Sequence, residues 1–385
     1  MTDHMPDDLS ADGRDLRAFA DQLRPRHGVV RNLRGEWVLL RHDLVVQAAR
    51  DHARFSSAVS RHLHVPNGID GDAHAAYRRA LDGFLTAEAL APFHDRFRQV
   101  ARELVASLPA GTAVDAVSTI GVRFAVRAQC AWLGWPASLE DRLVDWVAEN
   151  HAATRSRDRD WTRRVAESFD AIILSVLEPR RDAARGPASD ADDLTTRLMR
   201  TTVGGRPLDD AELVSFLRNW TGGDLGSIAQ CVGVLVHHLA TRPALQARLR
   251  AGVDAAGFDA VIDEILRIDD PFVSNRRITT CPVDVGGIAL PQSALVKLNW
   301  TSANRDEAVF GDPDAFDPQR NAAHNLVYGI GRHVCPGRLL ATLELRIALQ
   351  ALLAASTSIT LDPTQPPERA TAPVGGWSMV PVVLA

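Results

Sequence analysis

The sequence predicts a mainly helical protein with small β-sheets, and two observations support this fold class. Ala, Leu and Arg dominate most segments, in which apolar residues recur every three or four positions, as they do along one face of a helix. Short β-branched stretches typical of strands are few and lie mostly toward the two ends of the chain. We therefore expect one mixed, mainly helical domain over residues 1–385, with residues 1–24 as a flexible N-terminus.

The individual elements follow from these two patterns in chain order. Helices are predicted over residues 81–108, 119–135, 159–177, 209–241 and 338–355. The helix over 209–241 contains three glycines close together, each of which costs about 1 kcal/mol relative to alanine. Strands are predicted over residues 37–40, 277–280, 283–285, 295–298 and 378–384. Residues 180–193 are rich in charge, glycine and proline, which predicts a loop rather than a domain boundary.

Charge and composition exclude several classes of protein. The net charge of -5 argues against a nucleic-acid binder, which would carry a basic surplus. The four cysteines lack CxxC spacing, so they fit neither a disulfide framework nor a zinc site, and they suit a reducing cytosol. The first 24 residues hold no apolar stretch like that of a signal peptide or a membrane anchor. We therefore expect a cytoplasmic protein that binds neither nucleic acid nor membrane.

One loop carries the residues that we expect to do the chemistry, and it reads Tyr328-Gly-Ile-Gly-Arg-His-Val-Cys335-Pro-Gly337. Its glycines let the backbone fold tightly around the Cys335 sulfur and donate amides to it. The predicted helix starts directly afterwards, and a helix N-terminus lowers the pKa of a nearby thiol and favours the thiolate that binds metals. Arg332 and His333 add cationic or hydrogen-bonding character. Cys335 is therefore the candidate metal ligand.

This loop resembles the haem-binding loop of the cytochrome P450 family, in which an aromatic residue, spaced glycines, a His or Arg and the ligating Cys recur. Phe is usual where this chain has Tyr328. The resemblance implies the family's fold, a triangular prism with a long central helix over the haem. It also implies haem b as the cofactor, with Cys335 as the thiolate ligand of the iron, and haem contacts by Tyr328, Gly329, His333 and Gly337.

A second resemblance concerns the helix before the strands. Glu264 and Arg267 stand three residues apart, as in the family's ExxR helix, and the segments 304–306 and 316–320 resemble the stretches that lead to the cysteine loop. Arg320 is expected to complete a Glu–Arg–Arg cluster with Glu264 and Arg267. The resemblance implies that this cluster is structural and braces the core on the haem side.

Residues that hold the haem propionates are implied by two further matches. His74 and Arg78 match an HxxxR helix, in which side chains at i and i+4 share a face and can grip one carboxylate. In the family a third donor follows the ExxR arginine by ten residues. Arg277 satisfies this count, and its neighbour Arg276 is the alternative.

The long helix over 209–241 departs from the family pattern of an acid and an alcohol that relay protons to dioxygen. Counting from both flanks places Gly226 at the acid position and Ser227 at the threonine position. Asp224 precedes Ser227 by three residues and shares roughly the same helical face. One hypothesis is that Asp224 and Ser227 form a shifted catalytic relay. The alternative is that Asp224 faces away and caps or bridges elsewhere.

Four regions are implied to line the substrate pocket, namely residues 59–69, 155–164, 271–275 and 374–378. The first contains Arg61, His62 and His64, and the second alternates in charge. The second is either a solvated helix face or a mouth that favours an acidic or polar substrate. Trp377 either stacks on the substrate or fills the core.

The resemblance implies a haem-thiolate oxidase of bacterial specialised metabolism that acts on a small molecule or peptide by monooxygenation with dioxygen. The chain has no ferredoxin-like cysteine cluster or flavin-binding glycine motif, so we expect a ferredoxin and a ferredoxin reductase as electron donors. Because the relay is altered, oxidative coupling or peroxide-driven oxidation is the alternative reaction. A non-catalytic, haem-bearing recruitment module is the alternative of another class.

Overall fold

Helices make up most of the structure, a computed structural model that describes residues 4–5, 15–60, 62–189, 191–371 and 373–385. The helices of the first half are α1 (Leu16–Leu23), α2 (His42–Arg50), α3 (Gly71–Asp82), α4 (Ala87–Leu90), α5 (His94–Ala106), α6 (Arg123–Leu133), α7 (Glu140–Ser156), α8 (Arg159–Leu177), α9 (Arg181–Arg185) and α10 (Leu194–Met199). Those of the second half are α11 (Asp210–Leu217), α12 (Gly223–Ala240), α13 (Pro243–Arg250), α14 (Ala255–Ile268), α15 (Trp300–Ala303), α16 (Glu307–Phe310), α17 (Pro318–Asn321) and α18 (Arg338–Ala354). Wider π-helical turns precede α6 (Ala116–Val122) and α12 (Arg218–Gly222), and 3-10 turns span Ala91–Phe93, Ala137–Leu139, Glu178–Arg180 and Ala322–His324.

The strands form small sheets, as the sequence predicts. They are β1 (His4–Met5), β2 (Val29–Asn32), β3 (Trp37–Leu39), β4 (Phe55–Ser56), β5 (Ala113–Asp115), β6 (Thr202–Val203), β7 (Arg206–Pro207), β8 (Ser274–Thr279), β9 (Val283–Val285), β10 (Ile288–Leu290), β11 (Leu295–Asn299), β12 (Ile359–Leu361), β13 (Glu368–Arg369), β14 (Trp377–Met379) and β15 (Pro381–Leu384). A six-stranded sheet has the order β1-β2-β3-β11-β8-β4, and β12-β15-β5 form a three-stranded sheet. In the larger sheet Val296 of β11 pairs with Trp37 of β3 and with Arg277 of β8, which fixes where Arg277 stands.

The core is built around α12. Its apolar side chains are buried, among them Leu225, Ile228, Val232, Leu235 and Leu239. The π-helical turn Ala116–Val122 comes closest to α12, because Gly121 has no side chain and a Cβ there would lie 2.7 Å from the carbonyl oxygen of Ala229. The helices α6, α14 and α18 also pack on α12. This packing holds the first turn of α12 at the edge of the core.

Most of the predicted helices are confirmed, but the one over 81–108 is wrong as a single helix. The first helix there, α3, ends at Asp82, with Gly83 as the residue that follows it, and the Thr86 hydroxyl then accepts a hydrogen bond from the Ala89 N–H at 3.2 Å to cap α4. A 3-10 turn that contains Pro92 precedes α5. The glycine, the cap and the proline interrupt the run although its apolar periodicity continues.

One glycine of the 209–241 helix, Gly222, is needed for close packing. The chain runs from α11 through the π-helical turn into α12, as one interrupted helix. A Cβ at Gly222 would lie 3.3 Å from Phe169 and 3.4 Å from Trp146, whose rings stack with their centroids 3.9 Å apart. Glycine at this position lowers helix stability by about 1 kcal/mol relative to alanine, and the aromatic packing that it allows offsets this loss.

Half of the N-terminus predicted to be flexible, residues 1–3 and 6–14, lies outside the described residues. Within 1–24, helix α1 is present and buries Ala20 and Leu23. Among the helices of the described residues, none combines the length and the apolar character that crossing a membrane requires.

Candidate active site

A large cavity lies between α7, α8, the first turn of α12 and the loop that precedes α18. Its volume is about 2480 Å³. Cys335 and His333 lie in its wall on the side of α18, and Asp224 and Ser227 lie in its wall on the side of α12. The structure thus brings the candidate metal ligand and the candidate relay residues to one cavity.

The cysteine loop is closed by its own backbone. The Cys335 N–H donates to the Tyr328 carbonyl oxygen at 2.9 Å, and the Val334 N–H donates to that of Gly331 at 3.1 Å. Gly331 has φ +82°, and a Cβ there would lie 2.9 Å from the carbonyl oxygen of Ala49, so only glycine fits. Gly329 also has positive φ, at +70°. The loop therefore presents the sulfur at a fixed position just before α18.

The pKa of the Cys335 thiol reflects opposing contributions. Burial and the charge of Asp224 raise this pKa, and together they outweigh the N–H of Gly337 and the positive charges of Arg78 and Arg338, which lower it. The side chain is exposed only in the sense that it faces the cavity. A thiolate here therefore needs a further positive charge inside the cavity.

Helix α3 is tied to the cysteine loop by polar contacts. Arg78 donates to the Val334 carbonyl oxygen at 2.9 Å and to the Asp82 carboxylate at 2.8 Å. His333 Nε2 lies 2.9 Å from the Asp70 carboxylate. Burial raises the pKa of Asp70, but hydrogen bonds from His333, Ser56 and the Ser57 N–H outweigh it and hold the pKa at about 2.

Two buried basic side chains near the cysteine loop, His74 and Arg277, form no ion pair among the described residues, although the charge of Asp70 acts on both. His74 is 2% exposed, its ring lies 4.2 Å from that of His333, and neither of its nitrogens has a hydrogen-bond partner among the described residues. Burial and the charges of His333 and nearby arginines lower the pKa of His74 to about 4. Arg277 is 7% exposed and donates to the Arg276 carbonyl oxygen at 2.8 Å. Burial lowers its pKa, and no ion pair of the described residues includes it. An anion placed beside these two side chains would satisfy them.

The Glu264–Arg267 pair is fully buried. Arg267 donates to both carboxylate oxygens at 2.8 and 2.9 Å, and it also donates to the carbonyl oxygens of Asn304, Pro313 and Ala315. The prediction that Arg320 completes this cluster is wrong, since Arg320 is exposed. The free lone pairs of Glu264 are taken by the Asn321 amide at 2.7 Å and by the Asp317 N–H at 3.0 Å. The neutral amide of Asn321 is a sufficient partner for the Glu264 carboxylate, because Arg267 already balances its negative charge.

Asp224 and Ser227 do not contact each other. The Asp224 carboxylate accepts a hydrogen bond from the Gln129 amide of α6 and also contacts Glu344 of α18. The Ser227 hydroxyl donates to the Gly223 carbonyl oxygen one turn earlier. Asp224 therefore joins α12 to α6 and α18 while still lying in the cavity wall, so the structure matches neither alternative fully. The relay remains a prediction.

Glu344 is the most deeply buried member of this group. It is 0% exposed, and neither carboxylate oxygen has a described hydrogen-bond donor. Burial raises the pKa of Glu344 well above its usual value, and the neighbouring Asp224 raises it further. Burial likewise raises the pKa of Asp224, and the Gln129 amide offsets only part of that rise. The two carboxyl groups thus favour a state in which they share a proton.

This pair predicts a pH-dependent effect of Glu344→Gln on stability. The unfolded glutamic acid loses its proton near pH 4.3 and the folded one at higher pH, so the native chain loses stability as pH rises above about 4.3. Glutamine cannot ionise and can donate to Asp224. We expect the melting temperature of the variant to exceed that of the native chain by roughly 3–6 °C at about pH 8, and by less at about pH 5. Equal gains at both pH values would contradict the raised pKa.

The four predicted substrate-lining regions do reach the cavity, with two qualifications. Arg61 lies outside the described residues. His64 lines the cavity and bonds Asn219 at 2.6 Å, which ties its loop to the turn before α12. Trp377 fills the core, because it is 8% exposed and lies between Arg369, 3.7 Å from its ring, and His237, 4.0 Å away.

Several residues of the cavity region were not found from the sequence. Gln129 and Glu344 carried no motif, and only the fold brings them to Asp224. Trp300 donates to Asn275 at 2.7 Å and lies beside Gly329. His151 of α7 lies against Gly226 of α12, and both residues line the cavity. A sequence signal existed only for His151, as a polar residue one turn before the charged stretch 155–164.

Comparison with known proteins agrees with this geometry. The family described as Cytochrome P450 matches residues 258–380. The cyclomarin C epoxidase CymV of Salinispora arenicola is 32% identical over 354 residues, which are 88% of each chain. The erythromycin C-12 hydroxylase of Saccharopolyspora erythraea is 30% identical over 363 residues, covering 91% of this chain and 90% of that one. The open structure of cytochrome P450 EryK from S. erythraea has a TM-score of 0.86 at 28% identity and covers 97% of both chains.

The helical fold with small sheets and the cavity closed by a cysteine loop define the class of haem-thiolate enzymes. The chain belongs to the cytochrome P450 family. It is a monooxygenase of bacterial specialised metabolism, as its relatives named epoxidase and hydroxylase are. The predicted fold class and enzyme class are therefore confirmed.

Proposed function

We propose that Cys335 is the thiolate ligand of haem b in this enzyme. The observation that carries the proposal is the position of its sulfur, which faces the cavity from a backbone-closed loop at the start of α18. Burial raises the pKa of the thiol, so the positive charge of an iron would be what keeps it ionised. Tyr328, Gly329 and Gly337 shape the loop around this ligand.

His74, Arg78, Arg277 and His333 would hold the haem propionates. The support is that both nitrogens of the buried His74 lack a hydrogen-bond partner among the described residues, and that the buried Arg277 forms no ion pair there, so both would gain from a hydrogen-bonded anion. Arg78 and His333 lie beside them and already bind the loop and Asp70. Arg276, the alternative to Arg277, is exposed and suits this role less well.

The proposed reaction inserts oxygen from dioxygen into a small molecule or peptide. Haem held by a thiolate supplies the activation of dioxygen. The chain itself would bind and orient the substrate in the cavity, exclude bulk water and supply protons. Electrons would come from a ferredoxin and its reductase, and we propose a cytoplasmic, single-domain enzyme. Oxidative coupling is kept as a second reaction, because Gly226 stands where the family has an acid.

The test of this function is an optical titration of the ferric protein followed by turnover. A fitting substrate displaces the water at iron and shifts the Soret band, so a panel of small molecules and peptides can be screened. With a ligand that shifts the band, a ferredoxin system and dioxygen, we expect a product heavier by one oxygen. A product that has lost hydrogens and gained no oxygen would establish coupling instead. A protein that never turns over but binds another protein tightly would indicate a recruitment module.

The relay hypothesis makes a separate prediction for Asp224→Asn. The asparagine keeps the size of the side chain and its contact with Gln129 but cannot release a proton. If Asp224 supplies protons with Ser227, turnover should fall by about 10²-fold or more and electrons should be diverted to hydrogen peroxide. Glu167→Gln is the control, since Glu167 lines the same cavity but pairs with Arg163. Unchanged turnover and peroxide release in Asp224→Asn would leave Asp224 as a structural bridge.

A further inference from the structure

The position of His151 is set by a glycine on the facing helix. A Cβ at Gly226 would lie 3.3 Å from His151 Nε2, so the imidazole edge lies directly against the glycine turn of α12. His151 lines the cavity and is only partly buried, and the described residues give its ring no hydrogen-bond partner. The nitrogen is therefore available to a molecule in the cavity, on the side where the first turn of α12 also presents Ser227.

Arg155 lies one helical turn after His151. The two positions, at i and i+4, share a face of α7, and both side chains line the cavity. Burial lowers the pKa of His151, and the nearby charge of Arg155 lowers it further. Among the described residues no ion pair or side-chain hydrogen bond involves Arg155. The neighbouring Arg163 differs, because it pairs with Asp160 and Glu167.

The charge of the cavity wall is opposite to that of the chain. The whole sequence has 43 Lys and Arg against 48 Asp and Glu, whereas the lining residues include more arginines and lysines than carboxylates. Ion pairs neutralise Arg218 and Arg163 together with Asp170 and Glu167. Arg78, Arg369 and Lys297 pair with carboxylates outside the lining, and Arg155 is left among the lining cations that form no ion pair of the described residues. A cationic wall in an acidic protein concentrates anions in the cavity.

We propose that His151 and Arg155 form an anion-binding subsite that holds a carboxylate or similar acidic group of the substrate. The subsite rests on the proposed function, since it assigns the substrate class of the same cavity. Arg155 is always charged and offers a planar set of donors, and His151 can donate from Nε2 to the same oxygen atoms. Asn150 and Thr154 lie on the same stretch of α7 and line the cavity too, so further donors surround the pair. Gly226 leaves room for the imidazole, which a larger side chain would displace.

The test uses probes that bind regardless of the natural substrate. Imidazol-1-yl alkanoic acids bind iron through the azole nitrogen and place a carboxylate at a distance set by the alkyl tether. Their primary amides are matched neutral probes. Titrations of the ferric holoenzyme by the Soret shift would give the dissociation constants of each acid and amide over a series of tether lengths.

We expect the acid to bind at least about tenfold tighter than its amide at the tether length that reaches α7, as hydrogen bonds to charged groups allow. Arg155→Gln should reduce this preference to about twofold or less, and His151→Asn should reduce it in part. Arg163→Gln is the matched control, since that arginine lines the same cavity but is already paired, and it should leave the preference intact.

The outcomes separate this inference from the function on which it rests. If acid and amide bind equally at every tether length, or if Arg163→Gln removes the preference as well as Arg155→Gln does, the subsite is overturned while the haem site stands. If the purified protein shows no Soret band of bound haem, the proposed haem site fails and the subsite fails with it.

Discussion

Cys335→Ser is expected to abolish the thiolate-type spectrum of the ferrous carbon monoxide complex and to eliminate turnover. A serine hydroxyl is a far weaker ligand than a thiolate and does not push electron density onto iron. Cys335 faces the cavity from a loop whose backbone fixes its position, so its sulfur is the only thiol that the loop offers. The measurement is the position of the Soret band of the carbon monoxide complex, with circular dichroism to verify the fold.

Cys231→Ser is the matched control for this variant. Cys231 lies on α12, is buried and also lines the cavity, so it is the second sulfur from which a ligand could come. We expect this variant to keep the thiolate spectrum. A thiolate spectrum that survives in Cys335→Ser and disappears in Cys231→Ser would identify Cys231 as the iron ligand and contradict the proposal for Cys335.

Arg267→Met is expected to cost about 3–5 kcal/mol of folding stability, the largest effect we predict for a side chain outside the cavity. Arg267 and Glu264 are 0% and 2% exposed. Removing the guanidinium leaves a buried carboxylate without its counter-ion and three carbonyl oxygens without a donor. The resulting loss of folding stability is far greater than the net contribution of the intact ion pair. Thermal unfolding should show a fall of roughly 10 °C, accompanied by loss of haem.

Two further variants test the physical reason for this loss. Arg267→Lys retains the positive charge but cannot reproduce the two-pronged contact, so its stability should lie between those of the native chain and Arg267→Met. Arg163→Gln breaks ion pairs that are 59% exposed on the arginine side, and it should change stability by less than about 1 kcal/mol. Comparable losses in Arg163→Gln and Arg267→Met would mean that burial is not what makes the Glu264–Arg267 pair important.

The sequence was sufficient to point to candidate residues that lie close together in the chain. The cysteine loop, the ExxR pair and the HxxxR pair were found by their resemblance to motifs of the cytochrome P450 family, in which helix and turn geometry fixes how such neighbours face one another. The structure confirms the Glu264–Arg267 pair, and the roles of Cys335, His74 and Arg78 toward haem stay predictions. The structure also confirms α8, whose observed bounds match the prediction. Local rules failed at 81–108, where a glycine and a cap outweighed an apolar periodicity that continued through them.

The sequence by itself therefore determined the fold class, the candidate iron ligand at Cys335 and the buried Glu264–Arg267 pair. Only the tertiary structure decided that Asn321 rather than Arg320 completes that pair, that Asp224 meets Gln129 and Glu344, and that Trp377 belongs to the core. It likewise placed His151 against Gly226. These contacts join elements far apart in sequence, and their partners depend on how helices pack around α12, which no local spacing encodes.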